Sequence, residues 1–195
     1  MGQIERSTLM SLEQYARERP AFRAGVLQHK KERTVAVGPS ITLMFEDELT
    51  IRYQIQEMLR IEKTFEEAGI QDELDAYNPL IPDGTNWKAT MLIEYPDADV
   101  RKRELARLRD VEHQVQVEID GVPRITAIAD EDMERSNDEK TSAVHFLRFE
   151  LPAAALAALR QGAGVSVVIE HPAYSATTQL SAAARAALLQ DIAAG

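Results

Sequence analysis

The chain has 195 residues, 45% of them hydrophobic and 28% charged, which fits a folded protein and is too apolar for a disordered acidic tail. It has no cysteine, so disulfides, thiolate nucleophiles, cysteine-ligated zinc and protein-bound iron–sulfur clusters are excluded. Its net charge of −10 speaks against nucleic-acid binding, which needs a basic surface.

No run approaches the roughly 18 apolar residues of a membrane-spanning helix. The opening residues Met1 to Arg6 lack the basic-then-apolar pattern of a secretory leader. A cytosolic protein that does not meet the membrane is expected, with residues 1–195 forming one domain, helix-rich over 1–82 and strand-rich over 83–195. The charge is uneven. Residues 1–33 hold seven basic side chains (Arg6, Arg17, Arg19, Arg23, Lys30, Lys31, Arg33) against four acidic ones (Glu5, Glu13, Glu18, Glu32). Such a segment either pairs with the acidic body or serves as a docking arm for an acidic partner.

In chain order, Ser11 caps a first helix that Pro20 should bend or restart, with Phe22 to Lys31 as a second stretch. Thr34–Val37 and Ile41–Phe45 read as strands around a Gly38-Pro39-Ser40 turn. Ile51, Ile55, Met58, Leu59 and Phe65 recur at helical spacing, predicting a helix from Thr50 to about Ala68 that ends at Gly69. Gln71 to Tyr77 reads as one more short helix, and Asn78 to Gly84 as a rigid loop. The period then changes to two: Trp87, Ala89, Met91, Ile93 and Tyr95 alternate with polar or smaller neighbours, and Val115, Val117 and Ile119 do the same.

Asp97 to Arg109 is a charged helix between these strands. Asp120-Gly121 signals a hairpin into Pro123 to Ala129, followed by an acidic loop from Asp130 to Lys140. Ala143 to Leu151 and Val165 to His171 are further strands, separated by a helix from Pro152 to Arg160, and a last helix covers Leu180 to Ile192. Clean alternation and segregated helices predict an α+β fold: one mostly antiparallel sheet with helices on one face. Lys88, Thr90, Glu94, Gln114, Gln116, Arg148, Glu150, Ser166 and Glu170 should share its polar face.

His145 is in phase with Leu147 and Phe149, and His171 with Val167 and Ile169, so both point from the covered face. They approach one another if their strands are antiparallel neighbours, and lie far apart if the intervening helix makes a parallel crossover. Glu57 borders the apolar stripe of the long helix and requires a charged partner there, because an unpaired buried carboxylate is costly. Either it forms a structural ion pair with Arg60 or Arg148, or it joins a histidine in an acid–base or metal site. No paired-histidine or Glu-x-x-His spacing supports a metal, and no phosphate loop or nucleophile elbow is present.

Phe45-Glu46, the run Tyr53 to Glu62, and Glu73-Leu74-Asp75-Ala76-Tyr77-Asn78-Pro79-Leu80-Ile81-Pro82 together resemble an uncharacterised bacterial family, domain of unknown function 3501. Lys88-Ala89-Thr90 with Glu94-Tyr95, Lys140 to Phe149, and His171-Pro172 with Tyr174 resemble its later blocks. The resemblance brings no activity, cofactor or assigned catalytic residue. It implies a bacterial cytosolic protein encoded near rubrerythrin-like and iron–sulfur oxidoreductase genes, which hints at redox or oxidative-stress work. Since the chain lacks cysteine, any iron–sulfur chemistry belongs to a partner.

Three readings follow. One is a non-catalytic accessory or binding protein for a redox partner. The second is a small metal-dependent or acid–base enzyme with a pocket between the long helix and the sheet. That pocket would use Glu57, His145 and His171 as catalytic candidates, with Arg60, Arg148, Tyr77 and Asn78 as ligand-binding candidates. The third is a structural homodimer. On a regular strand Arg148 and His145 point oppositely, which makes Arg60 the better anion holder if the histidine lines the pocket.

Overall fold

The computed structural model describes residues 2–133, 135–137 and 139–192. The fold is α+β, as the alternation predicts, with two antiparallel sheets in place of one. The first sheet runs β1 (Thr34–Val37), β2 (Ile41–Phe45), β3 (Asn86–Ile93), β7 (Val144–Glu150) and β6 (Ile128–Ala129) in spatial order. The second contains β5 (Ile125–Thr126), β4 (Val115–Ile119), β8 (Val165–His171) and β9 (Tyr174–Gln179).

The two sheets share one core. Val37, Leu43, Trp87, Met91 and Phe149 of the first join Val117, Val167 and Ile169 of the second in one cluster of buried side chains. Three helices contribute to the same cluster: α4 (Ala98–Arg107) and the turn after it through Leu105 and Leu108, α5 (Ala153–Arg160) through Ala155 and Leu159, and α6 (Ala182–Leu189) through Ala184 and Leu188. The expected polar positions therefore divide between two outer faces. Lys88 and Arg148 are directly cross-paired on the first sheet, whereas Glu118 and Ser166 are cross-paired on the second. Gln114 lies in a 3-10 turn before β4.

Tyr174 joins the sheets at one edge. Its hydroxyl donates to the Val37 carbonyl at 2.6 Å and accepts from the backbone amides of Ser40 (3.1 Å) and Ile41 (3.2 Å). Gly38, at φ +76°, turns the chain directly beneath that hydroxyl, and a Cβ there would sit 2.6 Å from the oxygen. Glycine meets both demands, the left-handed backbone and the close approach.

A second apolar cluster sits outside the first sheet. It is built by α2 (Glu48–Glu62) and α3 (Glu67–Tyr77) through Ile51, Ile55, Leu59, Ile70 and Leu74, with Ile4 and Leu9 from the N-terminal segment. The helix α1 (Leu12–Lys31) packs on α2 and is continuous through Pro20. The proline removes one backbone donor, but burial of Tyr15 and Val26 on either side of it holds the helix together.

The long helix is shorter than its apolar spacing predicts. It ends at Glu62, because Lys63 adopts the left-handed conformation (φ 56°) and its amide closes on the Leu59 carbonyl. Phe65, in phase with the stripe, is consequently exposed, and Gly69 lies inside α3. Among the described residues, no helix is long and apolar enough to cross a membrane.

Candidate ligand site

Helices α2 and α3 lie over the outer face of the first sheet, and the space between them is a cavity of about 630 Å³. That is within the usual range for small-molecule sites. Met58 enters from α2, Tyr77 from the end of α3, and Pro79 and Leu80 from the 3-10 turn that follows. Phe146 and Arg148 of β7 and Lys88 of β3 form the floor, and Glu131, Asp132 and Arg135 of the loop after β6 form a wall. The floor follows from strand alternation. Lys88, Phe146 and Arg148 point away from the core because Trp87, Leu147 and Phe149 point into it.

The three cations of the cavity are in different situations. Arg148 is held by both oxygens of Glu131, at 2.7 and 2.8 Å, and by Glu150. Arg135 pairs with Asp132 and reaches Asp130 at 3.3 Å, its guanidinium lying over the Phe146 ring at 4.7 Å. Lys88 instead donates to the backbone carbonyl of Pro79. Among the described residues no carboxylate comes within ion-pair distance of it. Asp83, Glu131 and Glu150 attract it from farther off, yet burial, the largest influence, together with Arg148, holds its ammonium below the ordinary lysine value. On the opposite side, Glu73 has no ion pair among the described residues, and burial raises its carboxyl, helped by Glu62 and Asp72.

Of the residues proposed from the sequence, Arg148 and Tyr77 line this cavity. The others do not converge on it. Glu57 faces α1: Arg19 binds both its oxygens at 2.7 and 2.9 Å, Tyr15 donates at 2.6 Å, and Arg60 reaches it at 3.2 Å. The Arg19 guanidinium is the main cause that holds the Glu57 carboxyl down to about 2. Glu57 therefore has the charged partner it requires, in a helix–helix ion pair rather than an acid–base site. Arg60 is paired with the same carboxylate and does not line this cavity. Asn78 ties down the N-terminal segment, accepting from the Ile4 amide at 2.8 Å and donating to its carbonyl at 3.0 Å.

The two histidines belong to different sheets and do not form one site. His171 sits at the end of β8, where Nε2 donates to the Arg109 carbonyl at 3.0 Å and Nδ1 accepts from the Ala173 amide. His145 is fully buried on the core side of β7, opposite to Arg148 as strand phase requires. Its Nδ1 meets Asp130 Oδ2 at 2.6 Å, and its Nε2 meets Thr141 Oγ1 at 2.8 Å and the Ser142 carbonyl at 3.1 Å. Buried Glu112 accepts from Thr141 at 3.1 Å and from Ser136. Of Glu112, Asp130, Ser136 and Thr141, the sequence offers only Thr141, as a strand-start hydroxyl expected to be exposed, and the structure buries it. The four are dispersed over thirty positions, and the only other local signal was that His145 fell on an apolar phase.

The basic N-terminal segment is largely engaged with the body. Arg6 pairs with Glu67 and Arg19 with Glu57, Lys30 lies over the Tyr53 ring, and buried Arg33 binds Asp191 through two contacts of 2.6 and 2.9 Å. These four basic residues are thus engaged within the molecule.

A family model described as "Protein of unknown function (DUF3501)" matches residues 3–192. A crystal structure of a novel protein of unknown function from Burkholderia pseudomallei K96243 is similar at 49% identity and a TM-score of 0.94. That similarity covers 98% of this chain and 100% of the other. No curated protein matches the chain.

Proposed function

The chain belongs to the DUF3501 family of proteins of unknown function, and we propose that it is a non-catalytic binding protein for a small organic anion. The observation that carries this reading is Lys88: a half-buried ammonium in a cavity of ligand size, with no carboxylate paired to it among the described residues. Asp83, Glu131 and Glu150 act on this cation only at longer range and do not offset its burial, and a ligand carboxylate in direct contact restores the balance. Met58, Tyr77, Leu80 and Phe146 supply apolar and aromatic surface for the body of such a ligand. Binding is favoured over catalysis because the candidate nucleophiles and acid–base groups are spread over separate sites. Glu57 is in an ion pair between helices, His145 is inside the core, and His171 is on the second sheet.

An accessory role beside a redox partner, implied by the family resemblance, fits this reading if the bound anion is what the partner senses. The test is a thermal-shift series of aromatic and branched aliphatic carboxylic acids against their uncharged amides. The acids should raise the melting temperature and the amides should not. Equal effects of acids and amides, or none from either, would count against anion recognition.

A further inference from the structure

The buried polar cluster around His145 contains more close contacts than it has protons to fill them. Ser136 Oγ touches Glu112 Oε1 and lies 2.8 Å from Thr141 Oγ1. Thr141 Oγ1 lies 3.1 Å from Glu112 Oε2 and 2.8 Å from His145 Nε2, and Nε2 lies 3.1 Å from the Ser142 carbonyl. With Glu112 as a carboxylate, two hydroxyl protons and, at most, one on Nε2 must serve these five contacts. If both hydroxyls donate to Glu112 and Nε2–H is shared between its two acceptors, the Ser136–Thr141 contact still has no proton. An additional positive species between these atoms removes the conflict.

We propose that the cluster is a divalent-cation site, held by His145 Nε2, Glu112 and the hydroxyls of Thr141 and Ser136. Three further observations point this way. Glu112, Asp130 and His145 each offer a ligand atom within 4.8 Å of the others, with Glu112 and His145 fully buried. Separations of 2.8 to 3.9 Å among His145 Nε2, Thr141 Oγ1 and Glu112 Oε2 suit neighbouring ligands at metal bonds of about 2.0–2.2 Å. Asp130 also stands where an orienting carboxylate is usually found behind a metal-binding imidazole. It accepts from Nδ1 at 2.6 Å and is itself fixed by the Phe146 amide at 2.9 Å. One imidazole with carboxylate and hydroxyl oxygens selects a hard or borderline first-row cation such as Mn²⁺ or Zn²⁺ over a soft one. The donors come from the turn before β4, the loop after β6 and the start of β7, so the ion would pin that loop to the core. This inference is independent of the anion site.

The experiment uses full-length protein without a histidine tag, stripped with chelator and titrated separately with ZnCl₂ and MnCl₂. Calorimetry should give one equivalent per chain for at least one metal, with a rise in melting temperature. Glu112→Gln and Thr141→Val, the second nearly isosteric and chosen in case the first fails to fold, should each weaken that affinity by about tenfold or more. Absence of stoichiometric binding of either metal would overturn the proposal, leaving a buried hydrogen-bond network. Unchanged affinity in folded Thr141→Val would also overturn it, by placing any bound metal elsewhere.

Discussion

At the scale of single residues, the structure separates charges held in direct ion pairs from charges with none among the described residues. Glu57 is the satisfied case, with three donors from two helices. Its folded carboxyl titrates near 2 against an ordinary 4.5, so its contribution is fully present above about pH 4.5. That contribution is lost as the pH falls from there through about 2. Glu57→Gln keeps the shape and removes the charge, and it should cost about 1–3 kcal/mol at neutral pH. Chemical denaturation at pH 7 and pH 3 measures this, and the difference between wild type and variant should shrink at the lower pH. Ligand binding in the cavity should be unaffected. The need for a charged partner at Glu57 was legible in the sequence from its place beside the apolar stripe. The identity of that partner was not, because Arg19 and Tyr15 are about forty positions away and meet it only through the packing of α1 on α2.

Among the elements, strands read more accurately than helices. The first two strands and the β4 and β8 spans follow from period-two alternation, which is fixed by the pleat itself. The end of α2 was illegible, since Phe65 continues the helical spacing and nothing local marks Lys63 as left-handed. A lysine pays about 1–2 kcal/mol in that conformation, part of which glycine returns as chain entropy. Lys63→Gly should therefore stabilise the protein by about 0.5–1 kcal/mol, visible as a small rise in melting temperature. A destabilised variant would mean that the lysine side chain, rather than the backbone, terminates the helix. The strand β9 went unread, although Tyr174, Ala176 and Thr178 alternate with Ser175, Thr177 and Gln179 after a Pro172-Ala173 turn. Its side chains are small, polar and half-exposed, so hydrophobic periodicity gave it no weight.

For the whole molecule, antiparallel α+β architecture was legible, and the division into two sheets was not. Alternation reports which way side chains point within a strand, and carries nothing about which strands pair. The β7–α5–β8 passage moves the chain from one sheet to the other, which is why His145 and His171 share a phase but not a site. The Tyr174 hydroxyl is a direct bond between the sheets. Tyr174→Phe leaves the Val37 carbonyl and the amides of Ser40 and Ile41 without it, and should cost about 1–3 kcal/mol. At this chain length that is a fall of roughly 2–4 °C in melting temperature per kcal/mol. Hydrogen exchange at Ser40 and Ile41 should accelerate more than exchange in β4, and uniform acceleration would mean that the tyrosine acts through the core instead.

The cavity is where these scales meet: strand phase aims Lys88 outward, α2 and α3 roof it, and the packing leaves the ammonium without a carboxylate partner among the described residues. The most direct measurement is isothermal titration of a carboxylic acid selected by the thermal-shift series into wild type and Lys88→Met, which keeps the apolar stem and removes the charge. The account predicts saturable binding to wild type and a loss of tenfold or more in affinity for the variant, with both proteins folded. Equal affinity for the two would contradict it.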